Sequence, residues 1–191
     1  MEEKKNDRRV KYTRMVIRNS LIKFMKEKPI TKITVKELCD DADINRATFY
    51  AHYQDQYDLL RQVEEEIIDN IHQQLAGYDF QNSDLVQLEM IESILVYIEN
   101  NAELFAILLN NSNGDMNFQQ EVIKIIGKQH FIPIIGNDTF RIEDAEYIFH
   151  FLASGSVGII QMWLAGNMKK SAKEIAQLIL KAAANGRSSF L

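Results

Sequence analysis

Apolar residues recur at helical spacing from one end of the chain to the other, and this constrains the fold more than any other feature. No segment alternates apolar and polar residues for long between Gly or Pro turns, as a half-buried strand should. The predicted class is all-α. With 46% apolar and 26% charged residues, 8 Gly and 2 Pro in 191 residues, the chain has an ordinary globular composition, which rules out collagen-like and Pro/Gly-rich disordered chains.

The first helix is predicted over about residues 11–28, where Ile17, Leu21, Phe24 and Met25 form one buried stripe and Pro29 stops the run. Thr34 opens a second helix with Glu37 three residues on, the spacing at which each side chain satisfies the other's free backbone N–H. Asp40, Asp41 and Asp43 crowd its end and favour a turn, so it holds only about two turns. Asn45 is placed to cap a third short helix, about 46–53, and Asp55 a long fourth one with Leu60, Val63, Ile67, Ile71 and Leu75 inward. Gly77 to Ser83 break the pattern. The module boundary is placed ahead of that break, inside the fourth helix, giving residues 1–62 and 63–191. Further helices are predicted at about 84–100, 102–112, 116–135, 143–166 and 171–185, separated by Asn110 to Asn117, Pro133 to Asp138 and Gly166-Asn167.

Charge divides the chain. Residues 1–61 carry 14 Lys/Arg against 10 Asp/Glu, and the remainder 8 against 17, a pattern that points to a polyanion-binding end on an acidic body. The single cysteine, Cys39, excludes an internal disulfide framework and a Cys-based zinc site, and fits a reducing cytosol. No apolar stretch follows the charged start, and the longest apolar run, Leu104 to Leu109, is far short of the ~20 residues of a membrane span. A cytoplasmic chain with no membrane partner is expected.

Catalysis finds little support. His52, His72, His130 and His150 share no metal-ligand spacing, and there is no P-loop or dinucleotide-binding glycine run. Ser154-Gly155-Ser156-Val157-Gly158 resembles a nucleophile elbow only superficially, because no strand precedes it; small residues allowing close helix packing explain it better. No catalytic residue, metal or cofactor is expected.

The two short helices and tight turn between Thr34 and Tyr53 have the dimensions of a helix-turn-helix, in which the second helix enters a DNA major groove. Val35, Leu38, Ala42, Ile44 and Phe49 would form a small core against Leu21 and Phe24, leaving Lys36, Arg46, Ala47, Thr48, Tyr50 and His52 outward. Such groups donate to phosphate and let a helix approach base edges. Pattern alone also admits an ordinary three-helix core with a polar face.

The residues themselves resemble a known family. Ile33-Thr34-Val35-Lys36-Glu37-Leu38 and Ala42-Asp43-Ile44-Asn45-Arg46-Ala47-Thr48-Phe49-Tyr50-Ala51-His52-Tyr53, followed by Leu59-Leu60, are similar to the DNA-binding domain of tetracycline-repressor (TetR) family regulators. The resemblance covers about residues 11–62. Phe151 to Ile160 and Trp163 to Met168 resemble the C-terminal region of a subgroup that includes dihydroxyacetone-kinase regulators. The resemblance implies phosphate contacts from Thr34, Thr48, Tyr50 and His52, and base reading by Lys36, Arg46 and Ala47, with Asn45 in the same DNA-binding set. Two departures stand out. Asp43 occupies the place of a turn glycine, which Asp tolerates because it enters the left-handed region more readily than most residues. Gln54 and Gln56 stand where lysines are common, so modest and steeply salt-dependent DNA affinity is expected.

Residues 145–165 are apolar nearly all round, and such a helix must be covered on more than one side. A second copy is the simplest outer cover, with Phe151, Ser154, Gly155, Gly158 and Met162 meeting it and Ile175, Leu178 and Ile179 completing a four-helix interface. A monomer with a central core helix is the alternative. Tyr97, His130 and His150 are polar groups in apolar surroundings, either satisfied core residues or the lining of an effector cavity. The resulting expectation is a homodimeric, ligand-responsive repressor of double-stranded operator DNA with a small-molecule effector, its alternative a family-like interaction protein with little direct DNA binding.

Overall fold

The computed structural model describes residues 2–76, 84–109, 116–126 and 142–188, with side chains over 8–76, 86–109, 118–123 and 146–183. Among these there are nine α-helices and no strand. They form two compact units that divide between Ile68 and Asp69, inside the fourth helix and six residues beyond the boundary predicted at 62/63.

In the first unit, α1 (Glu2–Met25) is followed by a 3-10 turn (Ile30–Lys32), α2 (Val35–Asp41), α3 (Arg46–Tyr50) and the start of α4 (Gln56–Leu75). α1 ends three residues earlier than predicted. Pro29 disfavours the α conformation of Lys28, and the N–H groups of Glu27 and Lys28 both turn back to Phe24 O at 3.0 Å. The 3-10 turn, which periodicity does not reveal, is closed by Lys32 N to Pro29 O (2.9 Å) and Ile33 N to Ile30 O (3.0 Å), and it tucks Ile30 and Ile33 into the core.

Ile17, Leu21, Met25, Ile33, Leu38, Cys39, Phe49, Tyr53, Leu59, Val63 and Ile67 are buried in this unit. Of the predicted small core, Leu38, Phe49 and Leu21 are fully inside, whereas Val35, Ala42, Ile44 and Phe24 are half-buried. Phe24 is capped by ammonium groups, Lys28 Nζ at 5.2 Å and Lys23 Nζ at 5.8 Å from its ring centre. A polar clasp fastens α1 to α2: buried Ser20 donates to Asp41 (2.8 Å), which also accepts from Lys23. The bonds from Lys23 and Ser20 hold the Asp41 carboxyl below its ordinary range.

The second unit contains α5 (Asp84–Asn100), α6 (Ala102–Leu108), α7 (Met116–Ile126), α8 (Ile142–Ala165) and α9 (Ala172–Ser188). α9 packs along α5 and α8, while α6 and α7 pack on α8. α8 stops where Gly166 N returns to Met162 O and Met168 N to Trp163 O, each at 2.9 Å, with Asn167 and Met168 both at positive φ. Trp163 Nε1 donates to Lys170 O (2.7 Å) and so pins the turn. Ser171 and Glu174 then form a reciprocal cap on α9, a Ser-x-x-Glu spacing present in the sequence.

One expectation about this unit is corrected. Ile175 and Ile179, assigned to an outer interface, are 4% and 7% exposed; an i, i+4 stripe must cover the nearest apolar surface, and that surface is the core of the same chain. Leu178, on another face of α9, is the exposed one at 47%. Glu146–Ala165 has a mean hydropathy of 1.5, so length and composition alone would let it cross a membrane. Uninterrupted apolar runs do not reveal this, because His150, Ser154, Ser156 and Gln161 break the run without lowering its average much.

Candidate nucleic-acid interface

α2 and α3 are too short to persist by propensity, and both are held by caps. Thr34 Oγ1 accepts from Glu37 N (3.3 Å), while Glu37 Oε2 accepts from Thr34 N (3.0 Å) and Thr34 Oγ1 (2.8 Å). Lys28 Nζ reaches the other carboxylate oxygen at 2.6 Å. Lys28 and Thr34 together pull the Glu37 carboxyl down to about 2. On α3, Asn45 Oδ1 accepts from Thr48 N (2.7 Å) and Thr48 Oγ1 (2.9 Å).

Between the two helices the chain reverses through Asp43, whose φ of 51° is the left-handed geometry expected where a glycine would be easiest. Ile44 N donates to Cys39 O (3.0 Å) across the turn. Cys39 is buried, and burial pushes its thiol above the ordinary value against an opposing pull from the Arg46 charge, so it is a core residue.

The turn leaves one group of side chains outward. Thr34, Lys36, Asn45, Arg46, Ala47 and Tyr50 are exposed, Tyr50 at 56%, while Thr48 and His52 are half-buried. Among the described residues, the side chains of Lys36, Arg46 and Tyr50 make no hydrogen bond or ion pair, and neither does that of exposed Lys32, a cation that the helix-turn-helix pattern does not single out. In the free chain the Thr34 and Thr48 side chains serve in the caps. Their hydroxyl hydrogens go to Glu37 and Asn45, so donating to phosphate would require breaking a cap. Asn45 is likewise occupied as a cap. Tyr50 stands edge-on to buried Phe49, with ring centres 5.7 Å apart, which steadies its ring while leaving the phenol in solvent. Among the described residues, no group of three or more His, Cys, Asp or Glu could hold a metal ion.

The family described as transcriptional regulator C-terminal region, of the TetR type, matches residues 87–185, just over half of the chain. The chain belongs to the TetR family of transcriptional regulators. It is 21% identical over 184 residues to the HTH-type transcriptional regulator YxbF of Bacillus subtilis (strain 168), a match covering 92% of this chain and 46% of that relative. The chain thus spans about half the length of this curated relative. A TetR transcriptional regulator from Streptococcus agalactiae 2603V superposes with a TM-score of 0.68 at 22% identity, over 93% of this chain and 97% of that one. The dihydroxyacetone kinase operon activator DhaS gives 0.57 at 18% identity, over 91% and 94%. At these identities the solved structures establish a shared fold.

Within the second unit of this TetR-family chain, an open cleft of about 450 Å³ is lined by Gln74, Glu89, Glu92, Val96, Tyr97 and Asn100, among others. Tyr97 is the member of the predicted effector set that lines it, its ring edge-on to buried Phe105 at 5.7 Å. Gln74 Oε1 is buried without a hydrogen-bond partner among the described residues. His150 is not in that lining: it is exposed on α8. His130 lies outside the described residues. Of the residues predicted to meet a second copy, Phe151 is 71% and Met162 77% exposed, Ser154 and Gly155 are exposed and Gly158 half-buried. A Cβ built on Gly155 or Gly158 would meet nothing within 4 Å. Tyr147, which was not among those predicted, extends the same stripe at 79% exposure, four residues before Phe151.

Proposed function

We propose that this chain is a cytoplasmic transcriptional regulator, a ligand-responsive repressor that binds a palindromic operator as a homodimer. The observation carrying the reading is the pair of capped short helices whose outward cations and phenol, Lys36, Arg46 and Tyr50, are unpaired among the described residues. A free guanidinium at the start of a groove-entering helix suits a bidentate contact to guanine, and Ala47 beside it leaves room for a thymine methyl. Tyr50 and half-buried His52 suit phosphate oxygens.

The exposed apolar stripe of α8 supports the homodimer. Tyr147, Phe151, Ser154, Gly155, Gly158 and Met162 recur at helical spacing, and small residues between large ones let a second helix approach closely. Two-fold symmetry would present two copies of α3, which must lie about 34–36 Å apart to enter successive major grooves. The cleft beside Tyr97 supports the effector reading. Its wall carries Glu89 and Glu92 and no Lys, Arg or His among the described residues, so a cationic molecule suits it. A ligand acting from there lowers operator affinity only by favouring a dimer with the wrong separation, and operator must then weaken ligand binding by the same factor.

The test is selection of duplexes from a randomised pool by the full chain, followed by a salt titration of the winner. A palindromic consensus and a steep log–log salt dependence are expected. Recovery of no enriched sequence refutes the reading and favours an interaction protein instead.

A further inference from the structure

Arg8 and Arg9, outside the helix-turn-helix, are exposed and make no hydrogen bond or ion pair among the described residues. Their position follows from the register of α1 against α4. Arg14 Nη2 donates to Gln62 (2.8 Å) and Arg18 Nη1 to Glu66 (3.2 Å), so both partners advance by four residues and the helices run in the same direction. Six residues back at 1.5 Å each, Arg8 lies about 9 Å before Arg14 and level with Gln56, the first residue of α4. Arg14 also sits 5.9 Å over the Tyr53 ring and reaches its hydroxyl at 3.4 Å. Arg14 therefore stands beside the turn that joins α3 to α4, and α1 runs back from it towards Arg8 on that side of the unit.

That turn has no Lys or Arg of its own, and several of its backbone donors are already committed. Gln54 and Gln56 are neutral, and Asp55 and Asp58 are acidic. Gln54 N donates to Asp58, and the N–H groups of Tyr57 and Asp58 donate to Asp55. Arg61, the first cation of α4, is tied to Asp58 and Glu65. A DNA strand leaving the C-terminal end of α3 would meet two carboxylates there, Asp58 paired with Arg61 and Asp55 bonded to backbone N–H groups alone.

We propose that Arg8 and Arg9 form a second phosphate contact that flanks the groove-reading helix and supplies the positive charge this turn lacks. The proposal rests on the DNA-binding reading above. It assigns these arginines affinity and no base preference, because phosphates carry no sequence information.

The test compares the wild-type chain with the double variant Arg8→Ala/Arg9→Ala on one fluorescent duplex selected from a random pool, with Kd measured from 50 to 200 mM KCl. Removing one arginine from a phosphate flattens the log–log slope by about 0.9, so two arginines in each of two protomers flatten it by up to about 3.6. Circular dichroism should show unchanged helix content, and the selected consensus should not shift. Adding Gln54→Lys and Gln56→Lys to the double variant should restore the slope, because those positions return positive charge to the same turn. An unchanged slope in Arg8→Ala/Arg9→Ala, with Arg46→Ala still losing sequence preference, overturns this inference and leaves the DNA-binding reading standing. Failure of the wild-type chain to bind any duplex overturns both.

Discussion

Replacing Asn45 by Ala separates a cap from a DNA contact. In the structure Asn45 Oδ1 accepts two bonds, from Thr48 N–H and from the Thr48 hydroxyl, and it is the side-chain cap on a helix of five residues. Both bonds are exposed to solvent, so water takes over the orphaned donors and the cost stays near the usual value for a missing N-cap, about 1 kcal/mol within a range of roughly 0.5–2. If the first unit unfolds on its own, that loss lowers its Tm by about 4–8 °C; if it melts with the rest of the chain, by about 2–4 °C. Thermal denaturation of the free protein reads this effect without any DNA. Asn45→Ser should recover most of the loss, since a serine oxygen can accept from the same N–H. Operator affinity should follow the same order, wild type, then Ser, then Ala, because a frayed α3 presents Arg46 and Tyr50 in many orientations. An Asn45→Ala chain with unchanged Tm but reduced affinity would refute the capping argument and make Asn45 a direct DNA contact.

Three further outcomes are expected. Arg46→Ala should relax preference at one operator position by about 1–3 kcal/mol, whereas Tyr50→Ala should weaken all duplexes alike; equal, position-independent losses in a randomised operator set would contradict these roles. The Glu37 carboxyl, held at about 2 against an ordinary 4.5, contributes stability that is complete above 4.5 and is lost as pH falls towards 2. Denaturant midpoints measured from pH 6 to 2.5 should show that acid decline and its reduction in Glu37→Gln, most clearly at low salt because the pair is exposed to solvent. Phe151→Glu, at a residue 71% exposed, should leave the fold intact and weaken dimerisation by about 100-fold or more, since a two-fold interface carries the change twice; sedimentation of the wild type as a monomer at micromolar concentration would contradict this.

Local chemistry explains why much of the first unit is legible in the chain. The Thr34–Glu37 box, the Asn45 and Asp55 caps and the left-handed Asp43 each depend on residues within about four positions of one another, so the chain alone specifies them. The same caps commit the Thr34 and Thr48 hydroxyl hydrogens, so either would donate to a phosphate only by leaving its cap. The Ser171–Glu174 cap is equally local, and its Ser-x-x-Glu spacing is the signal that would have placed it.

Amino-acid order is enough to specify the helical class, the capped pair of short helices and more apolar surface on α8 than one core can cover. Packing selects which part of that surface stays outside. Ile175, Leu178 and Ile179 are alike in hydropathy and lie within five residues, yet two are buried and one is exposed. Helical spacing says which residues share a face, but only packing against α5 and α8 says which face meets the core. The same holds for charge: Arg14 and Arg18 find partners 48 residues away, whereas Arg8 and Arg9 find none among the described residues, and no local rule separates them. Pairing at that separation depends on where two helices come to lie, which no local rule supplies.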